Sequence, residues 1–127
     1  MAQDWTCEMV SRADGLTSRF VETLSLSADG AYRSRATITA TSATTKATVN
    51  LEWAGRWTLS QMTFHRTFSA LKATSGEVNG RALAEDRLDR AASEFRRGPT
   101  AEEGEVLSLS ENAMSISTAA EPMTCRR

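Results

Sequence analysis

The stretch Trp53-Ala54-Gly55-Arg56-Trp57-Thr58-Leu59-Ser60-Gln61-Met62-Thr63-Phe64-His65-Arg66-Thr67-Phe68 decides the fold. It opens inside a period-2 run: Val49, Leu51, Trp53, Gly55, Trp57 and Leu59 occupy alternate positions without a break. Ser60-Gln61 reads as the turn, and Met62, Phe64, Arg66, Phe68 and Ala70 carry the alternation back. In an extended chain every second side chain points to the same face, so this pattern predicts two long strands of an antiparallel hairpin. Gly55 has no side chain to pack in mid-strand and marks a bulge or bend where a sheet curls.

Upstream, Phe20, Glu22, Leu24 and Leu26 alternate in the same way. Ala28-Asp29-Gly30 then supplies the residue types of a primed hairpin turn. The return strand runs from Tyr32 to about Thr41, with Tyr32, Ser34, Ala36, Ile38 and Ala40 on one face. Arg33, Arg35, Thr37, Thr39 and Thr41 take the other, which is a water-facing composition. Residues 4–10 read as a short strand with Trp5, Cys7 and Met9 on one side, residues 11–18 as a loop, and residues 42–46 as a polar connection.

Downstream the period changes. Ala84, Leu88, Ala91, Ala92 and Phe95 lie at helical spacing, acids (Glu85, Asp86) come first and Arg96-Arg97 last, and Gly98-Pro99 is a stop signal. This predicts one helix over residues 82–97. Residues 100–104 read as an acidic loop, Leu107, Leu109, Met114 and Ile116 as a short hairpin, and a last segment from Met123 carries Cys125. Strands joined by short turns with one late helix describe an antiparallel meander, not βαβ units. The expected fold is mainly β (α+β), with a curved sheet or partly closed barrel of about seven or eight strands and the helix packed on or in it. Small inward residues at Ser34, Ala36 and Ala40 leave room either for a cavity or for Leu88 and Phe95, and the second reading, a helix that plugs the sheet, is the one preferred.

The chain of 127 residues is long enough for one domain, residues 1–127, with a single core. A formal net charge of −1 with no basic patch argues against nucleic acid as a partner. No apolar run approaches the roughly 20 residues that span a bilayer as a helix. Cys7 and Cys125 form no CxxC motif, and one histidine with two sulfurs falls short of a four-ligand zinc site. The remaining reading is a disulfide that ties the ends together in an oxidising compartment. The first residues lack the charged and apolar regions of a signal peptide and read as the start of a mature periplasmic or secreted chain.

Chemistry is sparse. There is no nucleophile elbow, phosphate-binding loop, zinc-protease helix or dinucleotide fingerprint. No cofactor or metal is expected, and no enzymatic activity. His65 is out of phase with Phe64 and Phe68, which puts it on the polar face. Glu102, Glu103 and Glu105 lack the spacing of a calcium loop and read as a solvated segment. Arg66 is the informative residue, because it shares a face with Met62, Phe64 and Phe68, where a charge is costly unless it is paired or reaches water. Three fates compete: it snorkels to the barrel rim, it pairs with Glu22, or it presents its guanidinium to an anionic ligand head.

Asp29-Gly30-x-Tyr32, Gly55-x-Trp57-x-Leu59, Met62-x-Phe64 and the closing Cys125-Arg126 together resemble the small lipocalin-like proteins that bacteria export. The likeness covers most of the chain from Phe20 on. It implies a non-enzymatic barrel that binds a small apolar or amphipathic molecule, with Trp53, Trp57, Phe64, Phe68 and Tyr32 as the walls and Arg66 at the polar end. Trp5-Thr6-Cys7 also resembles the beginning of the periplasmic inhibitors of C-type lysozyme, which implies the alternative of a protein-protein interaction module.

Overall fold

The computed structural model describes residues 3–97, 101–118 and 121–127. The elements are β1 (Gln3–Ala13), β2 (Leu16–Leu26), β3 (Ala31–Thr41), β4 (Lys46–Ser60), β5 (Thr63–Thr67), β6 (Ser69–Val78), β7 (Arg81–Ala82), α1 (Glu85–Arg96), β8 (Ala101–Leu109), β9 (Ala113–Ile116) and β10 (Met123–Arg126). Going round the wall the order is β1, β2, β3, β4, β5, β8, β9, β10 and back to β1, a closed antiparallel barrel of 8 strands. The barrel with one helix is the architecture that the alternation implied. Closure pairs the edges of these 8 strands and leaves β6 with β7 as the free edge of the sheet.

The hairpin forms, with Trp57 opposite Arg66 and Leu59 opposite Phe64, but its return strand ends at Thr67, and Ala70, expected to continue the alternation, is left-handed (φ 52°) and exposed. The hairpin turn lies one residue later than expected. Gln61 and Met62 are the loop pair, with φ of 49° and 67°, and Ser60 pairs with Thr63. Met62 is consequently 44% exposed and leaves the inward face. The left-handed pair suits the twist of the flanking strands, so hairpin geometry overrode the indifferent residue types.

Two other turns also correct the reading. Residues 11–18 are not a loop: β1 and β2 pair as far as Ala13–Leu16, and Asp14-Gly15 (φ 52° and 75°) makes the two-residue turn. The polar residues there belong to strands that project past the core. At Asp29-Gly30, by contrast, only Gly30 is left-handed (φ 91°), and the Asp29 carboxylate accepts the Ala31 N–H at 3.0 Å. That is a longer loop, and not the primed pair.

Gly55 sits where the wall bends. A Cβ there would lie 1.9 Å from the Thr67 carbonyl oxygen and 2.8 Å from the Tyr32 ring, so only glycine allows β5 to cross this close. Beyond Phe68 the chain continues as β6 along β4 with register shifts, pairs otherwise only with β7, and parts from β8, whose pairing with β5 ends at Thr67–Ala101.

The helix is α1, Glu85–Arg96, and it packs against β6 beside the cavity, on the face that Gly76 shares with its inward-facing partner Val49, without filling the barrel. This corrects the plug expected over residues 82–97. Its fully buried residue is Ala92, Phe95 is 41% exposed, and the leucines of positions 83 and 88 rest over Gly76, where a Cβ would meet them at 3.0 and 3.3 Å. The reason is width: an eight-stranded barrel has room inside for side chains, whereas a helix is about 10 Å across. The Gly98-Pro99 stop lies outside the described residues. Phe95→Ala is therefore expected to cost less than about 1 kcal/mol in a urea titration, against the roughly 3–5 kcal/mol of a core phenylalanine.

Cys7 and Cys125 are opposite each other in β1 and β10 and form the expected disulfide. Among the described residues no helix is long and apolar enough to cross a membrane.

Candidate functional site

One half of the barrel is filled. Trp5, Leu24, Leu26, Tyr32, Phe64, Val106 and Met114 are buried in a continuous cluster. Trp57 stacks on Phe64 with ring centroids 6.3 Å apart, and its indole N–H donates to the Ser27 carbonyl at 3.0 Å.

The other half is hollow. A cavity of about 850 Å³ opens there, with Phe20, Ile38, Trp53, Phe68 and Leu71 among its apolar walls and Arg66 and Glu102 on its polar side. Phe20 and Phe68 flank Trp53 at 6.3 and 6.2 Å. The inward side chains at Ser34 and Ala36 are small, and the helix stops at the edge of the space without filling it. Its last turn, Glu94 to Arg96, forms part of the rim instead. The Arg96 guanidinium donates twice to the Leu71 carbonyl, at 3.0 and 2.6 Å, which fastens that turn to β6.

Arg66 reaches neither the rim nor open water. It is 3% exposed and Glu22 is fully buried, and Nη1 and Nη2 donate to the two Glu22 oxygens at 2.6 and 3.1 Å. Of the three fates open to it, the pair with Glu22 is the one found. Ser34 donates its hydroxyl to the same carboxylate. The guanidinium also lies 5.1 Å from the Phe68 ring centre and 5.7 and 5.9 Å from those of Tyr32 and Trp53, distances at which ring faces attract a cation. Burial works against the charge on Arg66, but the Glu22 carboxylate outweighs it and holds the guanidinium above its ordinary pKa.

A second carboxylate completes the cluster. Glu102 stands opposite Arg66 across β5 and β8, and its Oε2 accepts from Nε and Nη2 at 3.4 and 3.3 Å. The acidic loop expected over residues 100–104 is therefore a strand from Ala101 onward, with Thr100 outside the described residues. Glu102, Gly104 and Val106 face inward, and a Cβ at Gly104 would lie 2.6 Å from Ile116 Cγ2 and from the Ser117 carbonyl oxygen. Charge density hid this strand: three acids in four positions resemble solvated chain, and only the 102-104-106 alternation signalled otherwise.

Of the residues expected to line a site, Trp53, Arg66 and Phe68 do meet at the cavity. Trp57 and Phe64 do not line it and belong to the filled half. Tyr32 lines a separate depression with Arg33, Gly55 and Thr67. His65 is on the outer face, between Thr58 and Glu103 on the neighbouring strands.

The Tyr32 hydroxyl donates to the Thr67 carbonyl, and burial pushes the phenol up to about 12 from the ordinary 10.0, with Arg66 pulling the other way. The folded state thus favours the protonated phenol. The associated stability is complete below pH 10 and is lost as the pH rises towards 12. Since Tyr32 is the sole tyrosine, phenolate absorbance reports it alone. The native protein is expected to half-ionise near pH 12 and the urea-unfolded protein near 10. A gap of that size corresponds to about 2–3 kcal/mol lost over that range.

No family model and no curated protein matches this sequence.

Proposed function

We propose that this chain is an exported, non-enzymatic lipocalin-like barrel that binds a small apolar or amphipathic molecule in the cavity beside Trp53. The observation that carries the reading is the hollow half itself: about 850 Å³ between aromatic walls, with a charged cluster on one side. Such volumes suit small-molecule sites, in which apolar walls supply the affinity and a few polar groups set the orientation. The disulfide supports export, because such bonds persist in oxidising compartments.

Native mass spectrometry of the purified protein tests it, with expectation of an added mass that leaves on denaturation. An empty protein whose tryptophan fluorescence answers to no amphiphile defeats it. The alternative, a module that docks on another protein, draws on the exposed side chains of Met62, Leu107 and Leu109, which are 44%, 55% and 49% accessible at the filled end. It gains weight if Leu107→Ser with Leu109→Ser abolishes capture of a partner while the cavity stays empty.

A further inference from the structure

Resting on the cavity as the binding site, we infer that its occupant carries a protonated amine. The polar side sets two carboxylates, Glu22 and Glu102, against one guanidinium, Arg66. The Glu22 pair is closed: both its oxygens are taken by Arg66, and Ser34 adds a third donor. Glu102 is the surplus charge. Both of its bonds to Arg66 fall on Oε2 and are long, at 3.3 and 3.4 Å. Its Oε1 accepts no hydrogen bond among the described residues, its side chain is 36% exposed, and it lines the cavity.

A carboxylate head entering here meets Glu102 with the short Arg66 donors already spent. An ammonium head supplies N–H donors to Oε1 and balances the charge, and its apolar body lies along Phe20, Trp53 and Phe68. The other charged residues at the cavity, Glu94 and Arg96, are of opposite sign, and Arg96 is committed to the Leu71 carbonyl, so they leave that balance unchanged.

The test titrates decylamine, decanol and decanoic acid, each below its micelle concentration, against tryptophan fluorescence. The wild-type protein is expected to bind decylamine about tenfold more tightly than decanol, with decanoic acid the weakest. Glu102→Gln should bring decylamine to within about twofold of decanol and leave decanol unchanged, because one charge-assisted hydrogen bond is lost and no wall. Glu103→Gln removes the same formal charge from an exposed outer position and should keep the preference. Stronger binding of decanoic acid, equal binding of all three, or an amine preference that survives Glu102→Gln overturns the inference. The wild-type ranking alone decides the matter if Glu102→Gln does not fold. Failure of all three compounds to bind, decanol included, overturns the binding-site reading and the inference with it. Binding of decanol without head-group preference overturns the inference alone.

Discussion

Arg66→Met is expected to destabilise the protein by about 3–5 kcal/mol, although methionine keeps the long apolar stem and suits the neighbouring Phe68 and Trp53. The loss comes from what stays behind. Glu22 is fully buried with both oxygens bonded to Arg66, so the substitution strands a carboxylate away from water with Ser34 as its one remaining side-chain partner among the described residues. Glu102 is partly exposed and hydrates, so it adds little to the cost. The double variant Glu22→Gln with Arg66→Met removes both formal charges and should recover most of the loss, since no uncompensated charge stays buried and the amide oxygen at position 22 still accepts from Ser34. Denaturant titration of wild type, both single variants and the double variant reads the coupling directly. A single Arg66→Met variant as stable as wild type would mean that Glu22 reaches water or sheds its charge at no cost, contrary to its burial.

Reduction of the disulfide is expected to rank beside it. Cys7 and Cys125 are 118 residues apart, and a loop of that length is worth up to about 4–5 kcal/mol in the chain-entropy account. The seam it crosses is weak without it. Beyond the cysteines, β1 and β10 meet through Thr6–Arg126 and Glu8–Thr124, and β10 has 4 residues. Opening that seam turns a closed barrel into a sheet with two edges. The melting temperature should fall by on the order of 10–20 °C on reduction. Thiol titration of the unfolded, unreduced protein should find no free thiol; two free thiols would remove both the bond and the argument for export that leans on it.

Much of the wall was legible. The alternation through Val49–Leu59 and Phe64–Phe68, the inward faces of β2 and β3, and the bend at Gly55 follow from neighbours along the chain, because period and side-chain volume are local properties. The same holds for Cys7 and Cys125, where the options were few. At the site, Trp53, Arg66 and Phe68 were readable as inward residues of one hairpin. Glu102 was not, since a carboxylate is tolerated on an inward face only when a cation waits there, and that cation is 36 residues away.

What the sequence determined by itself was therefore the hairpin of residues 53–68, the inward faces of β2 and β3 and the helix, each set by interactions over a few residues, whereas β6 and the acidic start of β8 carried no comparable local signal. Tertiary structure alone decided how the interior was shared out. The amphipathic stripe of α1 needed an apolar surface to cover; the lumen was too narrow for a helix, and Gly76, on the face of β6 that its partner Val49 turns inward, left a seat beside the cavity. Which of three partners Arg66 would take was equally open, because Coulomb attraction and burial cost depend on where distant strands bring their charges. The closed barrel placed Glu22 and Glu102 on either side of it and left the space above them hollow.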